Sequence, residues 1–190
     1  MSTEPLVTQL EEQVLTITFQ RPKRKNALTL KMYELATAAL EDARDNEGVR
    51  VVVFRGAGGT FTSGNDLNDF VQNPPTDESS PVFGFLRALR SFPKPIVGVV
   101  QGYAVGIGTT MLLHCDLILA DTTARFQLPF IKLALVPEAA SSLLLPRLVG
   151  YHRAAELLML GEPFGAQEAH QWGLVSEVHS PETLDEAASS

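Results

Sequence analysis

The spacing of apolar residues changes several times along the chain, and each change predicts an element. From Val14 to Phe19 it alternates, with Leu15, Ile17 and Phe19 on one face and Val14, Thr16 and Thr18 on the other. That two-residue period is a strand. Glu11-Glu12-Gln13 ahead of it reads as a hairpin turn from an earlier strand around Leu6 to Thr8. Leu28, Met32, Leu35, Ala36, Ala39, Leu40 and Ala43 then recur at helical spacing, with Gly48 as the stop. Val51 to Phe54 is an unbroken apolar run, the pattern of a buried strand. A strand, a crossover helix and a second strand predict a right-handed unit.

Val82 to Ser91 reads as a helix closed by Pro93-Lys94-Pro95, and Ile96 to Val100 as a second buried strand. Thr109 to His114 has helical character, Leu117 to Ala120 reads as a strand, and Ala124 to Phe130 as extended chain. Pro137-Glu138 fits the first turn of a helix, where proline is preset and a carboxylate is favoured. Tyr151 to Leu160 is a helix ending at Gly161, and Ala166 to Trp172 a short one ending at Gly173. Leu174 to Val178 closes the pattern as a strand. Asn73 to Pro81, NPPTDESSP, is the most loop-like stretch and a candidate lid. There is no internal repeat.

Composition narrows the class. The chain has 190 residues, 45% hydrophobic and 19% charged, which suits one α/β domain with a sizeable core. No apolar run is long enough to span a bilayer, so no membrane partner is expected. The start, MSTEPLVTQLEE, lacks a signal-peptide core and the end, EAASS, lacks a peroxisomal tripeptide, so a cytoplasmic location is expected. The net charge of −7 argues against nucleic acid. Cys115 is the one cysteine, and the four histidines have no ligand spacing, so no metal is expected. Gly56-Ala57-Gly58 lacks the third glycine of a dinucleotide fingerprint, no phosphate loop is present, and Ser63 is outside any G-x-S-x-G.

Two stretches carry candidate chemistry. In each, a buried strand runs through glycines into a polar turn or helix start: Gly56 to Phe70, and Gly102 to His114. Such turns leave backbone N–H groups without internal partners, suited to a developing negative charge. RPKRK (Arg21 to Lys25) is the local basic patch of an acidic chain.

FTSGNDLNDF (Phe61 to Phe70) and GYAVGIGTTMLLHCD (Gly102 to Asp116) resemble the two signature segments of the enoyl-CoA hydratase/isomerase (crotonase) superfamily. RPKRKNAL (Arg21 to Leu28) and GEPFGAQEAHQWGLVSEV (Gly161 to Val178) resemble two further segments, in the same order. The resemblance implies a crotonase-like fold of repeated ββα units over residues 1–190, and an acyl-CoA thioester substrate. Coenzyme A is then part of the substrate and no separate cofactor is needed. It implies an oxyanion hole from the backbone N–H groups of Asn65 and Ile107, beside Gly106. Each such donor is typically worth roughly 3 kcal/mol of barrier. It also implies a substrate path along Ser63, Gly64, Asn65, Asp66 and Leu67, with Ala27 near the adenine and Lys23 and Lys25 near the phosphates. Members of the superfamily usually continue as C-terminal helices that complete the pocket and build trimers. A homotrimer or dimer of trimers is expected if the short C-terminal region here does not prevent it.

Hydratases of the superfamily use two glutamates, and those positions here hold Thr110 and Phe130. LPFIKLALVPEAASS instead resembles the peroxisomal-type Δ3,Δ2-enoyl-CoA isomerases, whose catalytic base corresponds to Glu138. Leu133, Leu135, Val136, Ala139 and Ala140 are expected to surround that carboxyl and raise its pKa. Asp66 and Asp69 also read as ordinary capping residues. The alternatives left by these residues are another crotonase-type enzyme, such as a hydratase, or a non-catalytic acyl-CoA-binding module.

Overall fold

The alternating stretch of the N-terminal region pairs as expected. In a computed structural model describing residues 4–75 and 77–189, β1 (Leu6–Glu11) and β2 (Val14–Phe19) form an antiparallel hairpin. Glu12 and Gln13, both at positive φ, make its turn. The chain crosses through α1 (Leu30–Asp45) to β3 (Val51–Gly56), which lies parallel to β2 with Val14 opposite Val51. Leu28 is not part of that helix. It makes an isolated parallel bridge to Asn65, and Thr29 caps α1 by accepting from the Met32 N–H. Nor does Gly48 end it: Asn46 is the cap, and Lys94 Nζ donates to the carbonyls of Ala43 and Asn46.

After β3 come α2 (Leu67–Gln72), α3 (Pro81–Arg90) and β4 (Ile96–Val100). Thr76, within the expected lid, lies outside the described residues. Next are β5 (Tyr103–Val105), α4 (Ile107–Thr110) with a 3-10 turn to His114, β6 (Leu117–Asp121) and β7 (Arg125–Gln127). The chain ends through α5 (Ser141–Val149), α6 (Tyr151–Leu160), β8 (Phe164–Gly165), α7 (Ala166–Gln171), β9 (Glu177–His179) and α8 (Leu184–Ala187).

The strands form a six-stranded sheet, β1-β2-β3-β4-β6-β9, parallel beyond the first hairpin, and a small sheet, β5-β7-β8. The repeated unit is visible in this division. β4 and β6 each belong to the large sheet, and each is followed by a strand of the small one, β5 or β7. β3 is followed in the same way by Thr62, which bridges to Ala104 of β5, before α2 begins. Each unit therefore crosses from one sheet to the other before turning into a helix or 3-10 turn.

The core between the large sheet and its helices is aromatic. Phe19 stacks on Phe54 at 6.0 Å and meets Phe61 edge-on at 5.5 Å, while Phe85 of α3 joins Phe54 to Tyr33 of α1. All five rings are buried. Three expectations need shifting. Phe130 ends the extended stretch and begins a 3-10 turn to Leu133. Leu174 and Val175 are buried but lie before β9, held by N–H bonds to the Ala169 carbonyl. Pro137-Glu138 precedes α5 without entering it, because Ala139 and Ala140 both take left-handed φ, 50° and 54°.

Candidate active site

Two peptide groups define the site. The Gly64 carbonyl accepts from the Leu28 N–H at 2.8 Å, and the Asp66 N–H donates to the Leu28 carbonyl at 2.8 Å. The Gly64–Asn65 peptide is trans, so its N–H points opposite to its carbonyl, away from Leu28. The Gly106–Ile107 peptide is arranged the same way. Its carbonyl accepts from the Thr109 and Thr110 N–H groups, which turns the Ile107 N–H outward from the start of α4. Among the described residues neither N–H donates to a protein acceptor. Free backbone donors of this kind are the groups that can stabilise an oxyanion.

Glycine permits both geometries. Gly106 takes φ 57° and ψ −118°, a region closed to other residues. Gly64 takes φ 90°, and a Cβ there would lie 2.7 Å from the Val105 carbonyl oxygen. The two segments are laced together beside it: Thr62 N–H donates to the Tyr103 carbonyl, and Val105 N–H to the Thr62 carbonyl.

Glu138 meets the last residue of α4. Its Oε1 accepts a long, 3.4 Å bond from Thr110 Oγ1. Burial pushes its carboxyl up to about 7, the Thr110 bond opposing the shift. Glu138 is itself half-buried; of the apolar residues expected around it, Ala139 is half-buried and Leu133, Leu135, Val136 and Ala140 are exposed. Its main chain is clamped: the Glu138 carbonyl accepts from both the N–H and Oγ of Ser141, and the His114 ring nitrogen Nε2 donates to the Ala139 carbonyl at 2.9 Å.

Sequence reasoning passed over three residues that build the site. Tyr33, fully buried, donates from its hydroxyl to Asn65 Oδ1 at 2.5 Å. Its pKa is raised, first by burial and then by the nearby Glu138 charge, which brings phenol, amide and carboxylate into one cluster. Its polar tip within an otherwise apolar helical stripe was the available signal. Asn26 is fully buried, donating to the carbonyls of Ala57 and Thr60 and accepting from the Arg21 N–H. It fastens the basic loop to the end of β3. Thr110, noted only for what it is not, is the carboxyl's hydrogen-bond partner.

The remaining residues divide by accessibility. Lys23 and Lys25 are exposed, with Lys25 Nζ 4.6 Å above the Tyr103 ring. Ala27 and Ser63 are half-buried and Leu67 is 60% exposed. Arg21 is not part of a free basic patch, since it bonds the Ala27 carbonyl and Asp66. Asp66 caps α2 as well. Burial opposes its ionisation, but the Arg21 bond and nearby N–H donors outweigh it and hold its pKa low. Asp69 accepts from the Leu30 N–H at 2.7 Å, ordering the start of α1. Both acid side chains are therefore spoken for structurally. Among the described residues no cluster of side chains could hold a metal, and no helix is long and apolar enough to cross a membrane.

The two-sheet ββα architecture is that of the crotonase type, and the chain belongs to the enoyl-CoA hydratase/isomerase family, whose sequence profile matches residues 9–190. It is 40% identical over 181 residues to enoyl-CoA delta isomerase 2 of Rattus norvegicus, covering 92% of this chain and 46% of that protein. It is 35% identical over 174 residues to 2,3-dehydroadipyl-CoA hydratase of Escherichia coli (strain K12), covering 91% and 68%. The solved structure of OdaA from Pseudomonas aeruginosa superposes with a TM-score of 0.94 at 46% identity, covering 98% of this chain and 76% of that one. The chain thus spans less than half the length of that rat isomerase.

Proposed function

We propose that the chain isomerises 3-enoyl-CoA thioesters to their 2-enoyl isomers. The observation that carries this reading is a single available carboxyl, Glu138, held to Thr110 beside the two donor peptides, with its proton affinity tuned close to neutral pH. Asp66 and Asp69 are engaged elsewhere. The thioester oxygen lies between the N–H groups of Asn65 and Ile107. Glu138 removes a proton from C2, and the electron pair moves onto the oxygen as an enolate. The protonated Glu138 then returns the proton at C4 as the double bond settles between C2 and C3. One group serves as base and then acid, which suits a value near neutrality.

Addition of water needs a second acid–base group. The two positions where the resembled hydratases carry glutamates hold Thr110 and Phe130, both buried and neither able to activate water as a carboxylate does. The matched rat isomerase supports the isomerase choice, and the matched hydratase defines the competitor. In this reading the exposed Lys23 and Lys25 meet the coenzyme A phosphates.

The test is conversion of a 3-enoyl-CoA by the unaltered chain and by Glu138→Gln. Turnover is expected to fall by about 10²- to 10⁴-fold with acyl-CoA binding retained. Unchanged turnover in the variant removes Glu138 as the base. Faster water addition to a 2-enoyl-CoA than isomerisation makes the chain a hydratase.

A further inference from the structure

We propose that Tyr33 is a positioning residue that fixes the Asn65 peptide in its donor orientation. This rests on the acyl-CoA reading above, though not on isomerisation itself. Asn65 is held at two points. On the main-chain side, Leu28 takes the Gly64 carbonyl and receives the Asp66 N–H. On the side-chain side, the Tyr33 hydroxyl donates to Oδ1 at 2.5 Å. Among the described residues Oδ1 has no other donor. Without the tyrosine hydroxyl the side chain would be free to choose another rotamer, and the peptide would keep only its backbone bridge.

Tyr33 is itself immobile. Its side chain is 2% exposed, its ring packs 5.6 Å from that of Phe85, and it is one turn into the sixteen-residue α1. A group anchored in the aromatic core thus reaches through to the half-buried face of the site. The bond takes up the one acceptor that the amide offers on that side.

This arrangement predicts discrimination rather than general affinity. A saturated acyl-CoA places little charge on its carbonyl, while an enolate concentrates charge there, so a mispositioned donor penalises the enolate more. Tyr33→Phe keeps the ring and deletes the hydroxyl. The probes are acetoacetyl-CoA, whose enolate is followed by its ultraviolet absorbance, and butyryl-CoA, measured by calorimetry.

The expected result is a loss of at least about fivefold in acetoacetyl-CoA affinity and in bound enolate, with butyryl-CoA changed by less than about twofold. Asn65→Ala should reproduce the loss, and adding Tyr33→Phe to it should cost nothing further. If Tyr33→Phe unfolds, Asn65→Ala carries the same comparison. Equal effects on both ligands, or none on either, would overturn the assignment and leave Tyr33 a packing residue. If the unaltered chain does not bind acetoacetyl-CoA, both the acyl-CoA reading and this inference fail. Binding with the expected discrimination but no isomerase turnover would sink the isomerase reading alone.

Discussion

At the scale of single residues, the chemistry turns on how the interior treats one carboxyl. Glu138 is proposed to act in its ionised form, and burial places its midpoint near 7. The rate of isomerisation at low substrate should therefore fall as pH drops through about 7. Thr110 favours the charged form, so Thr110→Val should move that acidic limb to higher pH, as a pH–rate profile would show. A limb below pH 5 would contradict the role of burial. Asn26 gives a contrasting prediction about stability. Asn26→Ala abandons three part-buried backbone groups at once, so it should cost about 2–4 kcal/mol in denaturant unfolding. The basic loop and the β3 end should loosen together in hydrogen exchange.

At the scale of elements, legibility followed periodicity. β2, β3 and the body of α1 were readable because a two-residue alternation, a continuous apolar run and a helical stripe each point to one element. β5, β7 and β8 hold three, three and two residues, too few to show a period. The start of α5 misled for another reason. Proline followed by glutamate fits a helix start, but Ala139 and Ala140 at positive φ displace that start to Ser141. Left-handed alanine costs roughly 1–2 kcal/mol per residue. Ala139→Gly should accordingly raise the unfolding free energy by about 1 kcal/mol. It should also lower turnover, since the clamp on Glu138 then rests on a more permissive backbone. A gain in both would show that the strain has no part in holding the carboxyl.

For the molecule as a whole, the raised carboxyl links folding to pH. Its ordinary value is 4.5 and its folded value about 7. Between these the folded chain binds the extra proton, so stability falls as pH rises through that window. Above pH 7 the cost levels off at roughly 2–3 kcal/mol, reduced by water at the partly exposed edge of the side chain. Glu138→Gln should lack this slope, becoming more stable than the unaltered chain at pH 8 and similar at pH 4.5. Urea midpoints at the two values would check it. The wider lesson lies in how the site is gathered. Residues 65, 107 and 138 were visible one at a time, Thr110 was noted only for lacking a carboxyl, and Tyr33 was passed over. Their meeting depends on bridges such as Leu28 to Asn65 and Thr62 to Ala104, which no local pattern announces.

Those bridges also govern how the machinery can be dissected. Both proposed donors belong to the main chain, aimed by carbonyls bonded to Leu28 and to the first turn of α4. Every amino acid except proline would supply the same N–H at 107, so an alanine scan passes over that donor in silence. The decisive edit is atomic: a semisynthetic chain with an ester oxygen in place of the amide nitrogen at 107, which erases one donor and leaves every side chain as it was.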